Sequence, residues 1–160
     1  MKKIRFVLTI IFVLYFSVSA YGKELSVYAQ GAVLMEYETG RVLWQKNMKQ
    51  ELPMASTTKI MTAIIAIESG KTEEIVEVSQ KAASAPKVKM GLIKGEKYRL
   101  SDLLYPLMLV SANDAAVAVA ELVGGSEPGF VQMMNARAAE LGMVNTTFHN
   151  ACGLDTEGHL

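Results

Sequence analysis

The stretch that follows Ser56 is the feature that most constrains how this chain folds. It is apolar on most sides of a helix, and its apolar residues are Ile60, Met61, Ala63, Ile64, Ile65 and Ile67. A helix that is apolar nearly all round has to be buried. Ser56 or Thr57 stands where an N-cap belongs, and Gly70 stands where a helix ends. We therefore predict a central core helix from about 57 to 69.

The other elements follow from shorter apolar runs and from the residues that interrupt them. Two β-rich runs flank Gly40 and predict a hairpin over 32–45. We next predict a strand at 74–79 and an irregular segment at 80–100. Three helices follow: one is capped by Ser101 and ends at Leu109, one covers 114–123 and is ended by Gly124-Gly125, and one runs from Glu127 or Pro128 to Leu141 and is ended by Gly142. A break at 110–113 separates the first two helices, and the tail over 145–160 has no clear period. A hairpin followed by a helix-rich middle predicts an α+β fold.

The first 22 residues have the composition of an export signal. A basic start at Met1–Arg5 precedes an apolar run from Phe6 to Phe16, and small residues lead to Gly22. This order is typical of a secretory signal peptide, and the run is shorter than the roughly 20 residues of a membrane span. We predict that residues 1–22 are a signal peptide on an exported chain. An uncleaved N-terminal anchor is the alternative.

Charge and cysteine content exclude several classes of protein. Lys+Arg and Asp+Glu number 16 each, and no basic stripe is present, so we expect no nucleic-acid binding. The single cysteine, Cys152, rules out an internal disulfide, and we expect its side chain to be buried or half-buried. His149, Cys152 and His159 match no zinc-binding spacing, so we expect no metal site.

Ser56 and Lys59 form the first chemically informative pair. Residues three apart lie on one face of a helix, which places Lys59 one turn from Ser56. A serine hydroxyl is a weak nucleophile until a base takes its proton, and a lysine can be that base when burial lowers its pKa. The helix N-terminus also favours negative charge near Ser56. The alternative is that Ser56 is an N-cap and Lys59 is solvated.

The triplet Ser111-Ala112-Asn113 is the second candidate. It interrupts an apolar stretch between two predicted helices, where polar groups must find hydrogen-bond partners. A hydroxyl and an amide that face a cleft could relay a proton and hold a substrate amide. The alternative is a turn in which Ser111 or Asn113 caps the next helix. Ser-x-x-Lys and Ser-x-Asn elements in this order occur in class A β-lactamases and in penicillin-binding proteins.

The residues around both elements resemble the D-alanyl-D-alanine carboxypeptidases of the low-molecular-mass penicillin-binding group. The resemblance extends from about residue 30 to 159. It is carried by Ala55–Thr62, Asp102–Met108, Ser111–Ala116, Phe130–Gly142, Thr147–Asn150 and Gly153-Leu154. It implies a β-lactamase/transpeptidase-like fold and an exported cell-envelope enzyme that removes the terminal D-alanine from the peptidoglycan pentapeptide. β-Lactam antibiotics would trap the acylated enzyme, and no cofactor would be needed.

The resemblance also implies roles for individual residues. Ser56 would be the acyl-ester nucleophile, Lys59 the proton acceptor, Ser111 a proton relay and Asn113 a binder of the substrate amide. The backbone N–H of Ser56 would form half of an oxyanion hole.

The chain departs from the family pattern because it lacks the Lys-Thr-Gly element. We therefore expect residues 23–160 to be a truncated N-terminal portion of the peptidase domain, without the later sheet strands and without the C-terminal helix that tethers some members to the membrane. We expect this 160-residue chain to lack wild-type activity. The competing hypotheses are a β-lactamase-like hydrolase and a non-catalytic peptidoglycan-binding module.

Overall fold

The computed structural model describes residues 25–156 and Gly158, so the signal peptide predicted at 1–22 lies outside the described residues. The chain divides into two compact units, Met1–Met48 and Lys49–Leu160. Within the described ranges, no helix has both the length and the hydropathy that crossing a membrane would require.

The first unit contains the predicted β-hairpin. Strands β1 (Ala32–Met35) and β2 (Val42–Lys46) pair antiparallel, with Leu34 opposite Trp44. In the connecting turn, the Glu36 carboxylate accepts hydrogen bonds from two backbone N–H groups at 2.9 Å each. The hairpin prediction is confirmed. The exposed apolar side chains of its strands are Val33, Leu34, Met35, Val42 and Leu43.

The second unit is mainly helical. Its helices are α1 (Thr58–Glu68), α2 (Gln80–Ala83), α3 (Leu100–Leu109), α4 (Asn113–Gly124) and α5 (Glu127–Glu140). Two short strands, β3 (Ile75–Glu77) and β4 (Lys97–Arg99), pair antiparallel. Helix α4 contacts α1, α2, α3, α5 and β3, so the core is built around it.

Helix α4, rather than α1, is the central core helix. Its residues from Ala115 to Ala120 are all buried, because small Ala and Val side chains let neighbouring helices approach on every side. On α1, by contrast, Ile60 is 50% exposed and Ile67 is 59% exposed. These two residues lie seven apart on one face of α1. The prediction that α1 is buried nearly all round is therefore wrong for that face.

The segment predicted as irregular, 80–100, contains two ordered elements. The Ser79 hydroxyl accepts a hydrogen bond from the Ala82 N–H at 3.0 Å and caps α2. Strand β4 pairs with β3 in a register that places Tyr98 opposite Val76. Both elements are too short and too polar to show a hydrophobic period, which is why the sequence pattern missed them.

The glycines predicted to end helices α1 and α5 are confirmed, whereas the cap predicted at Ser101 is wrong. Gly70 (φ 71°) and Gly142 (φ 73°) lie just beyond α1 and α5 in the left-handed region, as expected of glycines that end helices. Ser101, however, does not cap α3. Strand β4 runs directly into that helix, which begins at Leu100 with Arg99 in the cap position and no side-chain cap bond.

Candidate active site

Ser56 lies in a short 3-10 turn, Ala55–Thr57, immediately before α1, and its side chain is exposed. Thr57 occupies the N-cap position of α1, as predicted, but its side chain makes no cap bond, and the Ser56 hydroxyl contacts other side chains. The N–H groups of the turn already have backbone acceptors: that of Thr57 donates to Met54 and that of Thr58 to Ala55. The Ser56 hydroxyl is consequently free of any capping role.

Lys59 lies one turn further along, and it is only 2% exposed. Its Nζ donates to the backbone carbonyl of Cys152 at 2.7 Å and lies 3.4 Å from Ser56 Oγ. Among the described residues, no carboxylate pairs with this amine. A buried ammonium with two neutral oxygen neighbours is poorly stabilised. The amine is therefore suited to being neutral and accepting a proton.

The pKa of Lys59 is lowered by burial, while the charge that Cys152 would carry as a thiolate acts in the opposite direction. Burial also raises the pKa of the Cys152 thiol to about 12, so this thiol is neutral at pH 7. A neutral thiol does not raise the pKa of Lys59, so burial alone determines the shift and lowers that pKa. Cys152 is buried, as the sequence predicted.

Ser111 lies between α3 and α4, and its hydroxyl donates a hydrogen bond to Ser56 Oγ at 2.8 Å. The two serines are 55 positions apart in the sequence. The structure thus brings three of the predicted site residues, Ser56, Lys59 and Ser111, into one cluster. Ser56 Oγ lies in the middle, with the buried amine and the second hydroxyl as its neighbours.

Asn113 begins α4 and is 4% exposed. Its Nδ2 donates to the carbonyls of Pro86 and Lys87 at 3.1 Å each, and its backbone N–H donates to Val88 at 2.8 Å. Neither Asn113 nor Ser111 caps α4, where Ala112 occupies the cap position. Within the described residues, Asn113 Oδ1 has no hydrogen-bond partner, so this oxygen is the atom that remains for a substrate N–H.

The backbone is strained at Ser111 and at Ala55, the residue that precedes Ser56. Ala55 has a φ of 45° and Ser111 a φ of 58°, both in the left-handed region. Non-glycine residues occupy this region at an energy of order 1–3 kcal/mol each, and such residues cluster at functional sites. Neither residue is Gly or Asn, so nothing in the sequence indicated this geometry.

Asp114 is a residue of the site region that the sequence analysis missed. Its carboxylate is fully buried and accepts four backbone hydrogen bonds of 2.8–3.0 Å, from the N–H groups of Met90, Gly91, Leu92 and Ala115. Together with Asn113 it holds residues 86–92 against the start of α4. A signal was available, because a charged residue inside an apolar run has to find partners.

Comparisons with known proteins agree with this architecture. Residues 17–160 match the model of the D-alanyl-D-alanine carboxypeptidase family. The carboxypeptidase DacF of Bacillus subtilis is 41% identical over 172 aligned residues, covering 99% of this chain and 44% of the relative. DacC of Escherichia coli is 36% identical, covering 83% of this chain and 36% of the relative. The chain thus spans less than half the length of these relatives.

Solved structures give the same result. DacD of Francisella tularensis superposes with a TM-score of 0.79 at 37% identity, covering 84% of this chain and 34% of that one. Penicillin binding protein 5 of Haemophilus influenzae superposes with a TM-score of 0.80 at 33% identity, covering 86% and 42%. The α+β, transpeptidase-like fold expected from the resemblance is confirmed. The chain belongs to the D-alanyl-D-alanine carboxypeptidase family.

Proposed function

We propose that the whole protein is a serine-type D-alanyl-D-alanine carboxypeptidase that acts on peptidoglycan stem pentapeptides and is acylated by β-lactam antibiotics. One observation carries the proposal: Ser56 is an exposed residue, and its Oγ lies 3.4 Å from a buried amine and 2.8 Å from a second hydroxyl. This arrangement provides a nucleophile, a base and a route for the proton in one place.

In the acylation step, Ser56 Oγ attacks the carbonyl carbon of the D-Ala-D-Ala bond and its proton passes to the neutral amine of Lys59. The Ser56 N–H, which has no backbone acceptor among the described residues, is available to the negative oxygen that develops. Ser111 then carries a proton from Lys59 to the nitrogen of the departing D-alanine as the C–N bond breaks. The product is an ester between Ser56 and the shortened peptide.

In the second step, water attacks the carbonyl carbon of this ester and its proton passes to Lys59; the ester C–O bond then breaks, and Lys59 returns the proton to Ser56 Oγ. Asn113 binds the substrate through Oδ1, which would accept a hydrogen bond from a peptide N–H, because both hydrogens of its Nδ2 are already used. The groups that carry protons to and from substrate and water in this scheme are the side chains of Ser56, Lys59 and Ser111, so we assign no cofactor or metal.

The same proposal assigns a location. Peptidoglycan lies outside the cytoplasmic membrane, so the enzyme has to be exported, and we assign residues 1–22 to a cleaved signal peptide. We place the protein in the cell envelope, with a C-terminal amphipathic helix of the whole protein as its membrane tether.

The test is acylation by a fluorescent penicillin. It should be run on the 160-residue chain and on an extended chain, in which these residues are followed by the part of Bacillus subtilis DacF that lies beyond its matched segment. We expect the extended chain to be labelled in a one-to-one ratio at Ser56 and the 160-residue chain to be labelled far less. Ser56→Ala should abolish labelling, and Ser69→Ala, a serine at the other end of α1, should leave it unchanged.

Two outcomes would contradict the proposal. The first is a folded extended chain that is not labelled, or that is still labelled after Ser56→Ala. The second is a label that is lost within seconds, because fast hydrolysis of the acyl-enzyme would indicate a β-lactamase. A non-catalytic peptidoglycan-binding module would instead retain ligand binding in Ser56→Ala and never acquire label.

A further inference from the structure

The amine of Lys59 is held from a part of the chain that has no role in the proposed mechanism. Its 2.7 Å hydrogen bond goes to the carbonyl of Cys152, which is 93 positions away in the sequence. One helical turn further along α1, the Thr62 hydroxyl donates to the carbonyl of Ala151 at 2.8 Å. Two successive carbonyls of one segment therefore accept hydrogen bonds from two successive turns of α1.

That segment, Asn150–Leu154, is a turn built around one side chain, and we call it the Asn150 turn. Asn150 Oδ1 accepts hydrogen bonds from three consecutive backbone N–H groups, those of Cys152 at 3.0 Å, Gly153 at 2.7 Å and Leu154 at 3.1 Å. Asn150 Nδ2 closes the turn by donating to the Leu154 carbonyl at 2.9 Å. A short amide side chain that bonds its own following backbone is a recognised means of fixing a turn.

The Asn150 turn also packs closely against the backbone beside the nucleophile. Gly153 has a φ of 78°, and a Cβ added there would lie 1.8 Å from the Ala55 carbonyl oxygen and 2.8 Å from Thr58 Oγ1. Only glycine allows this approach. Ala151 and Cys152 are buried, so the turn covers the amine as well as bonding to it.

We propose that Asn150 is a positioning residue for Lys59: its carboxamide folds the Asn150 turn so that the Cys152 carbonyl binds and covers the amine. The inference rests on the proposed function, in which Lys59 is the base. With the turn in place, the amine has a fixed direction toward Ser56 Oγ and no access to water. Without it, three N–H groups lose their common acceptor, the turn opens and water reaches the amine.

The charged groups near the Lys59 amine determine how its titration midpoint is interpreted. In the described part of the chain, the titratable group whose charge acts on Lys59 is the Cys152 thiol. That thiol is in turn influenced by Glu127 of α5, Asp114 of α4 and Lys81 of α2. Opening the Asn150 turn would remove the burial that lowers the Lys59 pKa, so the titration midpoint should move upward toward the ordinary lysine range.

The experiment is a pH titration of the full chain by NMR, with lysine labelled at Cε and the Lys59 signal identified by its loss in Lys59→Met. Asn150→Ala should move the Lys59 midpoint upward. It should also make the Cys152 thiol react with an aromatic disulfide reagent faster by about tenfold, because local opening exposes it. If Asn150→Ala does not fold, Asn150→Ser replaces it, since a hydroxyl holds such turns more weakly.

Asn135→Ala is the matched control. Asn135 is also half-buried, and its side chain likewise bonds to backbone, at the N–H and carbonyl of Phe148. It should lower stability without moving the Lys59 midpoint. The inference is overturned if folded Asn150→Ala keeps the wild-type midpoint, or if Asn135→Ala moves it equally. Because this readout needs no acylation, it is separate from the penicillin test of the proposed function.

Discussion

Lys59 near the start of α1 and Asp114 at the start of α4 are both buried and both ionisable, but their hydrogen bonding differs. Asp114 has four backbone N–H donors around its carboxylate. Lys59 has one carbonyl oxygen and one hydroxyl near its amine. The carboxylate is fully satisfied as an anion, whereas the amine is poorly satisfied as a cation.

This difference separates a group that holds the structure together from one that is available for chemistry. A carboxylate that accepts four backbone hydrogen bonds holds those backbone groups in place, and its removal leaves several donors unpaired. An amine that burial has driven toward neutrality can accept a proton at modest energy. Asn113 and Asp114 therefore form the support of the site, and Lys59, Ser56 and Ser111 form its reactive part.

The largest effect expected is that of Lys59→Met on acylation. We expect labelling of the extended chain by fluorescent penicillin to slow by about a thousandfold, because the base is lost. The free energy of unfolding should be unchanged or higher by about 1 kcal/mol, since a buried polar amine is replaced by an apolar side chain of similar length. Lys71→Met is the control, as Lys71 also donates to a backbone carbonyl but lies away from the serines.

The sign of the pH dependence follows from the lowered pKa of Lys59. Between that lowered value and the ordinary value of 10.5, the unfolded chain binds the proton and the folded chain does not. Wild-type stability should therefore rise with pH across this window relative to Lys59→Met, as measured by urea unfolding. A difference between the two proteins that does not change with pH would mean that burial has not altered this amine.

Asp114→Ala should have the next largest effect, and it should act on stability. Removing the buried carboxylate leaves the N–H groups of residues 90–92 without their acceptor, so we expect a loss of about 3 kcal/mol in the free energy of unfolding. Urea unfolding followed by circular dichroism measures it. Asp102→Ala, an exposed aspartate in the first turn of α3, should lose less than about 1 kcal/mol. Equal losses would contradict the distinction drawn between supporting and reactive residues.

Ser111→Ala is expected to have the smallest effect of the three. Its hydroxyl bonds to Ser56 rather than to buried backbone, so the free energy of unfolding should stay within about 0.5 kcal/mol of wild type. Acylation of the extended chain should slow by about a hundredfold, at the low end of what a proton relay contributes. Ser101→Ala, inside α3, should leave the rate unchanged. A Ser111→Ala protein that unfolds easily would place Ser111 among the supporting residues.

The hairpin, the four longer helices and the glycines that end three of them could be predicted, because each depends on a local apolar pattern or a left-handed residue. Strand β4 and helix α2 could not, since three or four mainly polar residues have no measurable period. The burial of α1 was overestimated at Ile60 and Ile67. The sequence shows that these residues form an apolar face, but it does not show whether another element packs against that face. The cap predicted at Ser101 was misplaced because this residue lies in backbone that continues directly from strand β4.

The site was accessible to sequence reasoning only in part. Ser56 and Lys59 are three apart, so helical geometry alone places them together. Their proximity to Ser111 depends on how α1, α3 and α4 pack, and no local pattern encodes that, so the resemblance had to supply it. The Asn150 turn was missed for the same reason, because its partner, Lys59, is distant in sequence. Asp114 was missed although its charge beside an apolar run was a signal; only the identity of its partners, residues 90–92, depends on the packing.

The left-handed backbone at Ser111 makes selection for stability and selection for activity favour different residues at this position. Glycine would adopt a φ of 58° without the strain a serine incurs, but it would remove the hydroxyl that reaches Ser56. Directed evolution for heat resistance alone would select glycine at this position. The selected variants would retain the fold but lose the hydrogen bond between residue 111 and Ser56 Oγ. At Ala55 the same exchange removes only a methyl group, which makes it the better first choice for engineering thermal tolerance.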